Sequence, residues 1–407
     1  MGRTSESAQA RDVLRGEEES RQANFLELFF DLVLVFALIG VVSRVVPDLL
    51  SDDVRLRWLS LLYTVVLALP LLWLWTTTAY ITSRFSPGCG RIQVLVLASA
   101  FGLLIMSTSL PYAFVAHGGT FAVPYVLLQV GRPLLLLPLL REHEAVRALY
   151  TRLAIGFAVS GVVWLAGAVV YGPYRVALWS VAITMDLVVA RFNWTIPGRG
   201  RRSTSAWAMT STRHLPERYQ QLLLIALGET VVSIGLTYTH HHHSTLAETT
   251  ALVITFLSSV LLWRIYFYRA GQILAEAVEA STNPALLGQR IGAAHVFMVL
   301  GIVFIAAGSE DVLAHPGGHT RAAWLAVILG GPALFLFGRI RLERYVFDRL
   351  AVRRLVGIGV LALLALPLYF GPPLLATFAA AVVLLGVALA DARKAAGRPP
   401  EAPSPST

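Results

Sequence analysis

Two carboxylates stand four residues apart inside one of the most apolar stretches of the chain, FLELFFDLVLVFALIG (25–40). They are Glu27 and Asp31, and a spacing of four places both on one face of a helix, where like charges repel. Such a pair is stable when a proton or a cation offsets part of its charge. The stretch therefore predicts binding of protons or cations, or a buried basic partner.

The composition shows what surrounds these charges. The 407 residues are 56% hydrophobic and only 14% charged, and the mean hydropathy is +0.66, whereas about a quarter of the residues in soluble proteins are charged. We therefore expect a polytopic membrane protein whose first partner is the lipid bilayer. Cys89 is the only cysteine, which excludes an intrachain disulfide. Residues 1–24 are expected to form a soluble tail with no signal peptide.

Twelve apolar runs are long enough to cross a hydrocarbon core of about 30 Å as helices. The chain is thus predicted to be all-α, a transmembrane helix bundle. The predicted spans cover residues 25–46, 56–79, 92–115, 122–140, 149–170, 174–190, 219–238, 246–267, 290–308, 322–338, 355–370 and 374–391.

The basic residues predict how the spans are oriented. Of the 33 lysines and arginines, 26 fall on the side of the two termini and 5 on the opposite side. Because basic residues accumulate on the cytoplasmic side, both termini are predicted to be cytoplasmic, in an inner (plasma) membrane. The net charge of +9 then reflects topology, and we expect no nucleic-acid partner.

The chain resembles itself at a shift of 199 residues. Arg91-Ile92 falls on Arg290-Ile291, YVLLQVGRPLL (125–135) on WLAVILGGPAL (324–334), and YGPY (171–174) on FGPP (370–373). This predicts two six-helix parallel repeats, 25–190 and 219–391, joined by a cytoplasmic linker (191–218) and followed by a cytoplasmic tail (392–407). With one residue removed, Asp31 falls opposite Glu229.

Ionisable residues within the spans are the candidates for function. A charge at mid-bilayer costs roughly 2.5–3.5 kcal/mol on insertion scales, so each should face the protein interior. We expect the following residues to bind a solute or ion in one cytoplasm-facing cavity: Asp31, Glu229, Arg132, Glu27, Asp186 and His295. Two alternatives stay open, since Arg132 and its partner could be purely architectural and Glu27 could lie at headgroup level.

Three other polar groups are interpreted as structural. Glu310-Asp311 ends the ninth span and is predicted to be a solvated outer edge, and Asp391 to be interfacial beside Arg393 and Lys394. The run His240–His243 is predicted to be a solvated loop with no bound metal, because no cysteine or carboxylate precedes Glu248. No cofactor is expected.

Signatures of enzymes and of ATP-driven pumps are absent from the sequence. It contains no Gly-x-Ser-x-Gly, no Walker Gly-x4-Gly-Lys and no His-Glu-x-x-His. The segments outside the spans are also too short for a catalytic domain. We therefore expect a protein that is not an enzyme.

Two segments resemble a known family. ELFFDLVLVFAL (27–38) and HLPERYQQLLLIALGETVVSIG (214–235) resemble the bacterial low temperature requirement protein A (LtrA) family, and the likeness extends from about residue 21 to 391. It maps family positions onto Glu27, Phe29, Phe30, Asp31, His214, Glu217, Arg218, Leu227, Gly228 and Glu229, and also onto Arg132 and His295. One departure is Tyr268, where the family pattern leads us to expect an acidic residue. The family name implies a role in growth at low temperature and no particular chemistry.

The sequence leaves several function classes open. We favour a secondary transporter of a small solute or ion, with Asp31 and Glu229 binding protons or cations and Arg132 as counter-charge or anion site. An ion channel is the first alternative, because Phe29-Phe30-Asp31 faintly resembles the first helix of potassium channels built from two six-helix repeats. A structural or sensory membrane protein is the second, and a homo-oligomer is left open.

Overall fold

The computed structural model describes residues 25–192, 194, 213–239, 245–268, 273–397 and 401–405. This part of the chain contains α-helices and short 3₁₀ turns and no β-strand. Its thirteen α-helices are α1 (Phe25–Leu50), α2 (Val54–Thr82), α3 (Gly90–Ser109), α4 (Gly118–Leu136), α5 (Glu144–Val169), α6 (Pro173–Arg191), α7 (His214–Thr239), α8 (Leu246–Phe267), α9 (Leu274–Ala280), α10 (Pro284–Ala314), α11 (Ala322–Phe347), α12 (Val352–Tyr369) and α13 (Pro373–Ala395).

Twelve of these helices are long and apolar enough to cross a membrane, and the short α9 is the exception. The prediction of an all-α, multi-pass membrane protein is therefore confirmed. Several helices extend well beyond the apolar run that predicts them. The longest, α10, has 31 residues because its amphipathic ends continue the helix past the hydrophobic limits of 290 and 308.

Local sequence explains where several helices begin. Proline occupies the first position of α6, α10 and α13, where its missing N–H has no partner to lose. Before α8, the Thr245 side chain accepts a hydrogen bond from the Glu248 N–H, and the Glu248 carboxylate accepts one from the Thr245 N–H. This reciprocal capping box fixes the start of α8.

Backbone contacts divide the chain into two compact units. The first comprises the chain through Gly40 together with Val66–Arg218, and the second comprises Val41–Val65 together with Tyr219–Thr407. In the first unit an aromatic cluster fills the space among α4, α5 and α6. The rings of Trp164 and Trp179 lie 5.6 Å apart, and Phe121 packs against both.

The second unit is built around α10 and α11. A Cβ added to Gly301 would lie 2.7 Å from the carbonyl oxygen of Gly331, and one added to Gly338 would lie 2.7 Å from that of Ala294. Small residues thus let the two backbones touch, which is the usual way helices pack closely in membranes. The end of α1 also belongs to this unit, since the Arg321 guanidinium donates to the carbonyls of Leu50 and Ser51.

Candidate functional site

The first two turns of α1 and of α7 bring two ion pairs together in the first unit. Arg218 holds Asp31 with both of its terminal nitrogens, Nη1 at 2.7 Å from Oδ2 and Nη2 at 2.8 Å from Oδ1. The indole of Trp75 on α2 donates a third hydrogen bond of 2.8 Å to Oδ1. Asp31 and Arg218 are buried, with 3% and 1% of their surface exposed, so this carboxylate is paired in a bidentate arrangement.

One turn away, His214 contacts Glu27. The distance from His214 Nε2 to Glu27 Oε2 is 3.1 Å, and Nδ1 lies 2.9 Å from the Ser83 hydroxyl oxygen. The Ser83 hydroxyl donates its hydrogen bond to the carbonyl of Ala79, so its oxygen accepts a hydrogen bond from Nδ1–H of His214. The contact between Nε2 and Glu27 then contains one further proton, on one of the two groups. Without it, both atoms would be hydrogen-bond acceptors and neither could donate.

The spacing of these residues explains why both contacts form. Glu27 and Asp31 are four residues apart on α1, and His214 and Arg218 are four apart on α7. Both contacts join residues 187 apart in the chain. A constant separation means that these segments of α1 and α7 run in the same direction, in register. The repulsion between the two acids is therefore offset by two bases at the same spacing.

Arg132 and Asp186 lie in the first unit and are joined through neutral side chains. Arg132 donates to the hydroxyls of Thr77 and Thr78, both at 2.7 Å, and to the amide oxygen of Gln129. The Gln129 amide in turn contacts the Tyr125 hydroxyl, which donates to Asp186 over 2.8 Å. Within the described residues Arg132 makes no ion pair, and the groups that accept its hydrogen bonds are neutral.

Asp186 is buried, and three groups donate to it. Besides Tyr125, the hydroxyl of Ser160 donates to Oδ1, and the indole of Trp164 lies 3.4 Å from Oδ2. Only 1% of the Asp186 surface is exposed. A carboxylate with this many donors is stable inside the bundle without a cation in direct contact.

Glu229 lies in the second unit and has far fewer partners. It is completely buried, and Ser233 donates a hydrogen bond of 2.8 Å to its Oε1. Its Oε2 has no hydrogen-bond partner among the described residues. The charge close enough to interact with it is Glu310 on α10, another acid. Glu229 is thus a buried carboxyl group that no base in the described part of the chain offsets.

The prediction that Glu310-Asp311 form a solvated edge is wrong for Asp311. Its side chain is completely buried, and neither of its oxygens has a hydrogen-bond partner among the described residues. Glu310 is half-buried. The reason is that α10 runs on to Ala314, so Asp311 lies within the helix and faces its neighbours instead of ending the span.

His295 on α10 has neutral partners. Its Nδ1 lies 2.8 Å from the carbonyl oxygen of Ile291, and its Nε2 lies 2.7 Å from the Tyr266 hydroxyl. The ring also stacks on Tyr219, with centroids 5.0 Å apart. A neutral ring satisfies both contacts, with Nδ1–H donating to the carbonyl and Nε2 accepting from the hydroxyl.

No group of three potential metal ligands occurs among the residues that the structure describes. The run His240–His243 lies outside these residues.

Comparison with known proteins identifies the family. The model of the bacterial low temperature requirement A protein (LtrA) family matches residues 22–389. The chain belongs to the LtrA family. The match confirms the resemblance carried by residues 27–38 and 214–235, and it includes every candidate residue described above.

This LtrA protein also resembles a curated relative. It is 31% identical over 345 residues to an uncharacterized protein of Rhizobium meliloti (strain 1021), which covers 84% of this chain and 82% of the relative. No solved structure matches the LtrA chain.

The residues that match the family pattern include both buried and exposed positions of their helices. Phe30 is completely buried, whereas Phe29 is half exposed and Gly228 is exposed. Glu217 is half-buried beside the paired Arg218. In this LtrA protein the family pattern thus includes buried ionic contacts and outward positions on the same helices.

Sequence reasoning missed several partners of the charged residues. Trp75 contacts Asp31, and Ser83 contacts His214. A tryptophan or serine within an apolar run does not indicate which distant residue it will contact. A further cluster of arginines and acids at the ends of α11, α12 and α13 was also missed, because Asp391 beside Arg393 and Lys394 is typical of an interfacial helix end. Its partners are Arg353 and Arg354.

Proposed function

We propose that this LtrA protein is a proton-coupled secondary transporter of a small solute or ion, and that Glu229 is the group that takes up and releases the proton. The observation that carries the proposal is the environment of Glu229. A completely buried carboxyl group with one unpartnered oxygen and no base beside it among the described residues favours the neutral, protonated form. Such a group alternates between two charge states when its surroundings become wet.

Asp31 has a different place in this proposal. Its charge is held by Arg218, and a proton arriving at Asp31 would weaken that pair. Proton binding at Asp31 would therefore change the contact between α1 and α7, whereas proton binding at Glu229 leaves no ion pair broken. Arg132 stays the candidate counter-charge or anion site, since the groups that contact it are neutral.

The setting of the proposed transporter follows from the sequence. We propose that it lies in the inner membrane with both termini in the cytoplasm, as the bias of arginines predicts. Its partners are the bilayer and a small solute or ion, with a homo-oligomer left open. We propose no enzymatic activity, no cofactor and no nucleic-acid binding.

A structural or sensory membrane protein is the second candidate. The paired contacts of Asp31 with Arg218 and of Glu27 with His214 favour it, because buried ion pairs fix helices in place. This candidate predicts no flux through the protein under any gradient.

The first test measures the proton on Glu229 directly. Infrared difference spectra of the purified protein are recorded during a pH titration, and the carbonyl-stretch band of a protonated carboxyl group is followed. We expect one titrating band to disappear in Glu229→Gln and every band to be kept in Glu276→Gln, since Glu276 is an exposed acid of the same unit. If Glu229→Gln loses no band, the proton is not on Glu229.

The second test measures coupling in proteoliposomes. A pH gradient and a membrane potential are imposed separately, and internal pH is followed while amino acids, sugars, organic acids and inorganic ions are added one at a time. The proposal predicts proton movement with one class of solute, abolished in Glu229→Gln. A channel predicts a potential-driven current that persists without a pH gradient and in the variant.

A further inference from the structure

A small cleft at the ends of α11, α12 and α13 has an excess of positive charge. It lies in the second unit and has a volume of about 30 Å³. Five basic side chains and two acidic ones line it: Arg339, Arg349, Arg353, Arg354 and Lys394, with Glu343 and Asp391. The basic groups therefore exceed the acidic groups by three charges.

Both oxygens of each acid in the cleft already accept a hydrogen bond from an arginine. Arg354 lies between them and donates to Oε2 of Glu343 and, over 2.6 Å, to Oδ2 of Asp391. Arg349 donates to the other oxygen of Glu343 at 2.9 Å, and Arg353 to the other oxygen of Asp391 at 3.0 Å. Every carboxylate oxygen thus accepts from an arginine, so Arg339 has no hydrogen bond to either acid and feels their charge only through space.

Arg339 is the buried cation without an acid in contact. Only 1% of its surface is exposed. Its Nε and Nη2 donate to the backbone carbonyls of Ile265 and Tyr268, each at 3.1 Å. Its Nη1 has no hydrogen-bond partner among the described residues. A buried guanidinium with only neutral partners and an unused donor is unfavourable unless an anion offsets it.

The mouth of the cleft is reachable from solvent. The side chains of Arg349 and Arg353 are 30% and 32% exposed, and Lys394 is exposed. A floor of buried guanidinium and a mouth of partly exposed guanidinium and ammonium groups suit an oxyanion with several acceptor oxygens. The volume has room for one such group but not for a larger molecule, so the rest of the ligand would lie outside.

The C-terminal segment already places an acid at this mouth. The carboxylate of Glu401 accepts a hydrogen bond from Nη1 of Arg349. The segment is held there by Ser404, whose N–H donates to the carbonyl of Val346 over 3.0 Å. Glu401 is itself exposed, so this internal anion is in a position to be displaced.

We propose that this cleft binds one phosphate group, carried either by an anionic phospholipid headgroup or by a soluble phosphate compound, and that Glu401 competes with it. The arginines at the mouth hold the phosphate oxygens, and Nη1 of Arg339 gains an acceptor. The predicted orientation puts the cleft on the cytoplasmic side. The site is independent of the proton on Glu229.

The test has two arms that separate the two sources of phosphate. In the first, the full chain in neutral detergent is titrated with inorganic phosphate against chloride at matched low ionic strength, and the melting temperature is measured. In the second, native mass spectrometry counts retained phosphatidylglycerol against phosphatidylcholine. A soluble ligand predicts a response in the first arm, and a lipid headgroup predicts selective retention in the second.

Paired variants assign any response to the cleft. Lys394→Gln removes an exposed cation that lines it, and Arg393→Gln removes the neighbouring exposed cation, which does not. We expect affinity to fall about three- to ten-fold in Lys394→Gln and to change less than two-fold in Arg393→Gln, in line with one charge-assisted contact. Glu401→Gln should tighten binding about two- to five-fold, as expected for loss of an exposed ion pair.

Arg339→Gln should abolish binding if the variant folds. If it does not fold, the comparison of Lys394→Gln with Arg393→Gln decides the test. Equal losses in Lys394→Gln and Arg393→Gln would overturn the proposal, because the response would then reflect general surface charge. A Glu401→Gln variant that binds no tighter would overturn the competition. No response in either arm would overturn the site itself.

Discussion

Arg218 binds Asp31 through both terminal nitrogens, at 2.7 and 2.8 Å, across 187 residues of sequence. The guanidinium also lies over the ring of Trp75, 5.4 Å from its centre. Because the indole N–H donates to the same carboxylate, the three side chains form one closed contact. This contact joins α1, α2 and α7 within the first unit. It pairs Asp31, a charge inside an apolar span, with a buried arginine.

Removing one member of this pair should cost far more than removing both. Arg218→Gln leaves Asp31 as a buried, unpaired carboxylate, so the free energy of unfolding should fall by about 3–5 kcal/mol. The double variant Arg218→Gln with Asp31→Asn should recover a large part of that loss, since residues in direct contact couple by about 0.5–3 kcal/mol. Chemical denaturation of the variants in detergent measures this. Strictly additive losses would mean that the pair does not form.

Arg132 should be less important for stability than Arg218. Its direct partners are Thr77, Thr78 and Gln129, and these neutral groups lose hydrogen bonds but gain no uncompensated charge when Arg132→Gln is made. The expected loss is about 1–3 kcal/mol, the usual penalty for unsatisfied buried polar groups. Melting temperatures of Arg132→Gln and Arg218→Gln, purified side by side, compare the two. A greater loss for Arg132 would show that an acid contacts it directly.

Asp311→Asn should stabilise the protein. The substitution keeps the shape of a completely buried side chain and removes a carboxyl group whose oxygens have no hydrogen-bond partner among the described residues. An acid in such a site either keeps its charge without a donor or takes up a proton on folding, and an amide avoids both costs, so the free energy of unfolding should rise by on the order of 1–3 kcal/mol. Glu276→Gln, on an exposed acid, is the control and should change it little. A destabilised Asp311→Asn variant would mean that a cation or donor holds this carboxylate.

The orientation of the spans is testable with single cysteines. In a Cys89→Ala background, cysteines at positions 201 and 344 should be protected from an impermeant thiol reagent added outside intact cells, and one at position 242 should react, because basic residues stay in the cytoplasm. Arg344 is exposed at the end of α11, whereas positions 201 and 242 lie outside the described residues. Labelling of position 201 from outside would reject the predicted topology.

The sequence by itself determined the class of protein and the places of its helices. Runs of about 20 apolar residues are a local property, and a bilayer selects them by length, so twelve spans follow from the chain alone. The family is likewise carried by short contiguous segments, above all residues 27–38 and 214–235. Even the pairing of Glu27 and Asp31 with two bases had a signal, the matching four-residue spacing of His214 and Arg218.

Only the tertiary structure decided which charges have partners. Asp31 and Glu229 look alike in sequence, each an acid in an apolar helix. Folding gives Asp31 an arginine and an indole, and it gives Glu229 one serine hydroxyl. The lack of a hydrogen-bond partner for Asp311 and for Nη1 of Arg339 among the described residues likewise becomes visible only in the folded structure. The physical reason is that hydropathy is read within one helix, whereas the electrostatic state of a buried group depends on side chains that distant helices bring within about 3 Å.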